Sequence, residues 1–241
     1  MFKPCVIVPC YNHAKLFEKV ARNLSVLNYP VIVVNDGSCC NETDILCDIC
    51  NRFGFEIINL SQNRGKGFAM KKGLSFAKNA GYTHALQIDA DGQHCIGDIK
   101  SFLDMAKKNP DCIINGVPVY DDSAPKARMY GRKITNFWVW VETCGVKIED
   151  AMCGFRVYPL YEVEKIVRNL YFYRMGFDIE ILVKSVIAGI GCIDVKTKVI
   201  YPNNGISHFK MVRDNVKISC LHCYLCFYSV WKFICKLWRN L

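Results

Sequence analysis

Short apolar-rich runs alternate with amphipathic segments through the first hundred residues. Cys5 to Val8, Val31 to Val34, Glu56 to Leu60 and His84 to Ile88 have the length and makeup of strands and are bounded by turn-forming residues. Between them Leu16, Val20, Leu24 and Leu27, and later Met70, Leu74 and Ala77, recur every three or four positions, which places each set on one face of a helix. Strand and helix in alternation predict βαβ units: an α/β fold with a mainly parallel central sheet flanked by helices.

Past Asn109 the rhythm loosens. Pro118, Asp121, Asp122 and Pro125 mark a polar loop, and a helix is expected from Ala127 to about Thr143. A strand near Gly154 to Tyr158, a helix near Gly176 to Ala188 and a strand near Cys192 to Tyr201 follow. The last segment, 216–241, reads as an amphipathic helix. From Ile218 to Trp231 it carries no charged residue, yet that stretch is shorter than the ~20 apolar residues of a spanning helix. His222, Ser229, Lys232, Lys236 and Arg239 fall on one side, with Phe227, Val230, Ile234, Leu237 and Leu241 on the other. The expectation is a helix lying on an anionic membrane surface, its basic residues and its Tyr and Trp side chains at the headgroups.

At 241 residues and 51% hydrophobic, the chain has enough apolar content for one large core and no internal repeat that would divide it. A net charge of +9 calls for an anionic partner without choosing one. Fifteen cysteines would form a disulfide framework in a secreted chain, but Pro9 breaks the only apolar run near the start, so no signal-peptide pattern is seen and a reduced, cytoplasmic protein is expected. The clusters Cys39, Cys40, Cys47, Cys50 and Cys220, Cys223, Cys226 fall in helical segments, where cysteine acts as a small apolar residue, and neither has the paired knuckles of a zinc ribbon.

In an open parallel sheet, ligands bind beyond the carboxyl ends of the strands. Three strands run there into polar clusters: Pro9-Cys10-Tyr11-Asn12, Asn35-Asp36-Gly37-Ser38 and Asp89-Ala90-Asp91-Gly92-Gln93-His94. Asp89 and Asp91 offer hard oxygen ligands to magnesium or manganese, although an isolated Asp-x-Asp-Gly also suits a simple turn. Asn63 to Gly67 opens a helix, where its amides and Lys66 can meet an anion; a glycine-rich loop with solvated basic residues is the alternative. Gly65-Lys66-Gly67 lacks the third glycine of a dinucleotide fingerprint, with Met70 in its place, and no stretch reads as a Walker phosphate loop.

The ordered blocks Val8 to Asn12, Asn35 to Ser38, Asn63 to Gly67 and Asp89 to His94, continued by Cys153 to Arg156 and Gly176 to Glu180, resemble glycosyltransferase family 2. Within it the chain is most similar to the dolichyl-phosphate mannosyltransferase and polyprenyl-phosphate glycosyltransferase branch. The resemblance implies a GT-A fold over 1–215, with a nucleotide-sugar-binding half (1–109), an acceptor half (110–215) and the 216–241 tail outside it. It implies an inverting, metal-dependent transfer from a nucleoside-diphosphate sugar to a lipid-linked acceptor, either polyprenyl phosphate or a cell-envelope lipid. Pro9, Tyr11, Asn12 and Asp36 would hold the nucleotide, with Lys66 and Asp89 on the donor and Asp89, Asp91 and Gln93 on the metal. Asp150 and Asp91 would be the catalytic carboxylates. Asp150 would be a base for a hydroxyl acceptor, whereas a phosphate monoester is already anionic and needs none. Arg156 would then pair with the acceptor phosphate. Ser207 to Lys210 with Arg213 and Asp214 resemble a closing motif of bacterial members, which implies His208 as a metal ligand and Lys210 and Arg213 as acceptor contacts. The implied partners are donor, acceptor and anionic membrane, not nucleic acid, with the protein peripheral on a cytoplasmic membrane face. Two alternatives stay open, a non-lipid hydroxyl acceptor and a catalytically silent nucleotide-sugar or membrane-binding scaffold. Sugar nucleotidyltransferases share a similar sheet, but their glycine-rich, Arg-containing signature is absent.

Overall fold

The computed structural model describes residues 1–119, 126–199 and 211–239. Their order is β1 (Pro4–Cys10), α1 (Ala14–Ser25), β2 (Val31–Asn35), α2 (Cys40–Phe53), β3 (Glu56–Asn59), α3 (Lys66–Asn79), β4 (His84–Gln87), α4 (Ile99–Lys108), β5 (Cys112–Val119), α5 (Lys126–Glu142), β6 (Arg156–Pro159), α6 (Leu160–Arg168), α7 (Phe177–Ile187), β7 (Gly191–Lys198) and α8 (Met211–Arg239). Among the described residues the strands form one seven-stranded sheet, ordered β3-β2-β1-β4-β6-β5-β7. β6 runs antiparallel to β4 and β5, and the other pairings are parallel.

β1 shows why its run is apolar at every position. Cys5 and Ile7 point into a core shared with α3, α6 and α7, while Val6, Val8 and Cys10 point into a second core beneath α1, α2 and α4. A strand covered on both faces has no solvent side to mark with polar residues. Each such aliphatic side chain contributes about 1.5–3 kcal/mol by leaving water.

The strands and helices expected from the sequence are found with ends shifted by a few residues. β5, α4 and α6 were not expected. β5 is interrupted by Asn115, Gly116 and Pro118, yet it pairs with β7 over its whole length. Gly116 sits so close to β6 that an added Cβ would lie 2.4 Å from the Phe155 carbonyl oxygen. Part of the strand expected to end at Tyr201 lies outside the described residues, as do His208, Lys210, Leu241 and the side chains of Arg213 and Arg239.

The tail departs from expectation in two ways. α8 is longer than foreseen, and the stretch Asp214–Trp238 is long and apolar enough, by length and composition, to cross a membrane. Its phase is also inverted relative to a solvated polar stripe. His222 and Ser229 are buried with Ile218, Leu221 and Leu225, whereas Phe227, Val230, Ile234 and Leu237 face outward. The cause is Glu142 at the end of α5, whose carboxylate meets His222 Nδ1 at 2.7 Å. Lys184 of α7 adds a second anchor. It binds Glu180 at 2.6 Å, and its ammonium lies 4.8, 5.1 and 5.2 Å from the ring centroids of Tyr171, Tyr224 and Tyr228.

Candidate active site

β1 pairs in parallel with both β2 and β4, so the carboxyl ends of all three lie side by side. Their polar clusters meet at the switch point where the chain, having built β2 and β3 on one side of β1, returns to lay β4 on the other. Tyr11 is exposed there. Asn12 takes a left-handed φ of 51°. Its amide donates to Ser38 Oγ and its Oδ1 accepts from the Cys39 amide, each at 2.9 Å, tying the first cluster to the second. Pro9 lies within β1, buried and in register with Val34.

Asp36 is almost fully buried and turned toward the loop before α3. Its Oδ1 accepts from the Arg64 amide at 2.9 Å, and its Oδ2 from the Gly65 amide at 2.7 Å and Asn63 Nδ2 at 2.8 Å. Burial pushes its carboxyl up, and the two amides pull against that shift. The anion that this loop's amides meet is therefore Asp36 itself. The Gly67 amide is also taken, by the Tyr173 carbonyl at 2.7 Å. Gly37 permits the approach of the two loops: it has φ 66°, and a Cβ there would stand 2.3 Å from the Gln62 carbonyl carbon.

With its amides so engaged, the α3 terminus presents the side chain of Lys66. The ammonium lies 2.8 Å from Asp89 Oδ1, 3.1 Å from Asp89 Oδ2 and 3.1 Å from Asp178 Oδ2. Asp89 stands two residues past the end of β4, and Asp178 stands in the first turn of α7. Burial alone would raise the Asp89 carboxyl, but the charges of Lys66 and His94 hold it well below the usual carboxylate range. Asp91 is shifted the other way, first by burial and then by Asp89, although the Gln93 amide donates to its Oδ1 at 3.0 Å. Gln93 and His94 stay close, with His94 Nε2 3.7 Å from Asp89 Oδ2.

Asp89 and Asp91 fit a divalent cation. Asp89 Oδ1 is buried without a hydrogen bond, the Lys66 ammonium being near but out of line, and the two carboxylates repel each other. Among the described residues no three His, Cys, Asp or Glu side chains converge as a ready cage. Magnesium suits such a place, because it commonly takes one or two carboxylates and completes its shell with water and substrate phosphate. Every cysteine among the described residues is a free thiol.

The acceptor side requires a correction. Arg156, expected to meet an acceptor phosphate, is fully buried. Its guanidinium donates to Asn115 Oδ1 at 2.9 Å and to the carbonyl oxygens of Asp178 at 2.7 Å and Ala151 at 3.4 Å. It braces the floor of the site and has no open side for a ligand. Asp150 is buried nearby, with Oδ1 accepting from the Met152 amide at 2.9 Å and Oδ2 paired with Arg132 of α5. Asp178, Gln87, Gly154 and Arg132 were not singled out as site residues. For Asp178 and Gly154 the signal was present, since both stand inside blocks that carried the family resemblance.

A model of glycosyl transferase family 2 matches residues 5–162. The chain belongs to this family. It is 28% identical over 200 residues to the dolichyl-phosphate beta-glucosyltransferase of Dictyostelium discoideum, and 27% over 214 residues to that of Saccharomyces cerevisiae. These alignments cover 73% and 75% of this chain but 60% and 62% of the relatives, so the chain spans about three fifths of their length. Among solved structures, glucosyl-3-phosphoglycerate synthase from Mycobacterium tuberculosis, in complex with uridine diphosphate, superposes with a TM-score of 0.69 at 15% identity, covering 93% of this chain and 80% of that one. The mannosyltransferase PcManGT from Pyrobaculum calidifontis, solved with GDP-Man and Mn2+, gives 0.60 at 15% identity, covering 95% and 71%. At these identities the likeness is one of fold, and it is the GT-A fold that the motifs implied.

Proposed function

We propose that this family 2 member transfers a sugar, with inversion at the anomeric carbon, from a nucleoside-diphosphate sugar to a lipid-linked phosphate at a membrane surface. The observation that carries the reading is the charged cluster of Lys66, Asp89, Asp91 and Asp178 at the sheet's switch point, beside the loops joined by Asp36. Magnesium or manganese on Asp89 and Asp91 would supply the positive charge that a departing diphosphate needs. Lys66 adds a further positive charge on the same side, and Asn12 and Tyr11 at the loop ends would line the nucleoside. Gln93 and His94 border the metal carboxylates.

Two observations support a phosphate acceptor over a hydroxyl. The Asp150 carboxylate is engaged by Arg132 and a backbone amide, so both of its oxygens are turned to protein partners and not to an acceptor hydroxyl. The similar dolichyl-phosphate beta-glucosyltransferases are named for a phosphorylated lipid. The outward face of α8 supports a membrane setting. Phe227, Trp231 and Trp238 are exposed, and on neighbouring α5 so are Tyr130, Ile134, Phe137 and Trp140. Because Ile218 to Ser229 of α8 is docked on its own domain, the reading is of a helix lying at the interface, not crossing it.

Release of nucleoside diphosphate from a panel of UDP- and GDP-sugars, with and without a short polyprenyl phosphate, tests the proposal. Release that depends on Mg2+ or Mn2+ and is stimulated by the polyprenyl phosphate is the expected result. Metal-independent release, or stimulation only by alcohols, counts against it.

A further inference from the structure

Lys66 lies against Asp89, one of the two carboxylates read above as holding the divalent ion, and Asp178 holds it from behind. Asp178 takes Lys66 Nζ on Oδ2 and Gln87 Nε2 on Oδ1 at 2.9 Å. Gln87 is itself fixed, its Oε1 accepting from the Tyr158 hydroxyl at 3.0 Å, and the Asp178 carbonyl accepts from Arg156 at 2.7 Å. Asp178 is thus immobilised by β4, β6 and its own helix, whereas Lys66 is one flexible stem between two carboxylates. Gly154 leaves the room for it: a Cβ there would lie 2.5 Å from Nζ and 2.7 Å from Asp89 Oδ2.

We propose that Lys66 is an exchangeable cation of this site, neutralising Asp89 when the donor is absent and yielding that carboxylate to the divalent ion when the donor loads, with Asp178 as the positioning residue that keeps the ammonium beside the diphosphate. The inference rests on the reading of Asp89 as the metal-diphosphate carboxylate. The physical reason is exclusion. A monovalent and a divalent cation on one carboxylate repel across a few ångströms in a partly buried place, so they occupy it in turn. The displaced ammonium keeps an anionic partner because Asp178 cannot follow the metal. A lysine is suited to this exchange, being a compact point charge on a rotatable stem.

Calorimetry with Mn2+ alone, and with UDP or GDP in the presence of Mn2+, tests it. Lys66→Met is expected to bind Mn2+ alone about fivefold more tightly than the wild type, and the nucleoside diphosphate about tenfold more weakly. Opposite signs for the two ligands are the mark of exchange. Lys66→Gln, which keeps a polar tip, is measured alongside, so that a methionine variant that folds badly does not decide the matter. Asp178→Asn is expected to weaken nucleotide binding about fivefold in the wild-type background and to have no such effect in Lys66→Met, because it acts through the lysine. An equal effect of Asp178→Asn in both backgrounds, or Mn2+ binding that is no tighter in either Lys66 variant while Asp89→Asn abolishes it, overturns the exchange alone. Mn2+ binding unchanged in Asp89→Asn overturns the site reading and the exchange with it.

Discussion

Gly154 lies against Lys66 so closely that a single methyl group would contend with the ammonium for the same space. The chain gives no sign of strain at this glycine, which needs no left-handed φ, so the constraint is one of room alone. Gly154→Ala is expected to fold, to lose about 1–3 kcal/mol of stability through overpacking, and to push Lys66 off Asp89. Thermal melting together with Mn2+ titration in the absence of nucleotide checks this: the melting temperature should fall while Mn2+ binding changes, and a variant with wild-type Mn2+ affinity would show that the methyl group does not disturb the Lys66–Asp89 contact.

Asp91→Asn removes a charge from the carboxylate pair without changing its shape. The expected result is a loss of at least about 10–100-fold in metal-dependent nucleotide affinity with an unchanged fold, since that is the scale for disturbing groups that merely support metal ligands. Mn2+ titration at saturating nucleotide measures it. Retained affinity would take Asp91 out of the site.

Asp150→Asn distinguishes the acceptor classes. A general base contributes about 10²–10⁴-fold, so a hydroxyl acceptor predicts a collapse of turnover at normal donor affinity. The engaged carboxylate leads us to expect a smaller loss, under about tenfold, below that general-base range. Steady-state turnover on polyprenyl phosphate is the measurement, and a thousandfold loss would reverse the assignment.

Removing the tail at Val216 would be a poor test of membrane binding, because it also strips Ile218, Leu221, His222 and Leu225 from the domain's core. Phe227→Glu with Leu237→Glu changes only the outward face. This double variant is expected to keep the wild-type melting temperature and to lose co-sedimentation with vesicles containing anionic lipid, since a charge costs about 2.5–3.5 kcal/mol at the bilayer centre and is disfavoured in any apolar lipid contact. Undiminished vesicle binding would leave the exposed face without a lipid partner.

Much of this site was legible because its residues lie at strand ends. Asp36, Asp89 and Asp91 could be placed at one crevice once the strands were known to be parallel. The role of Arg156 was not legible. An arginine reads as a surface group or a ligand contact, and its burial depends on Asn115 and on two carbonyl oxygens supplied by distant segments. The pairing of Lys66 with Asp178 joins residues 112 positions apart, beyond any local pattern. β5 was missed because Asn115, Gly116 and Pro118 are poor strand residues in isolation; here Asn115 donates to the Asp150 carbonyl at 2.8 Å, and Gly116 allows β6 to approach. The phase of α8 was misread for a related reason: histidine and serine suit a wet face until a buried glutamate faces the one and Cys144 the other.

The setting of Lys184 bears on how this molecule would answer to chemical probes. Its amine is lodged among three tyrosine rings and a carboxylate, two of the rings belonging to α8. An electrophile that labels surface lysines within seconds would find Lys184 closed to it for as long as that helix stays seated. Its acylation therefore serves as a clock for detachment of α8, readable by mass spectrometry in a single peptide, with the freely exposed Lys100 as the internal standard.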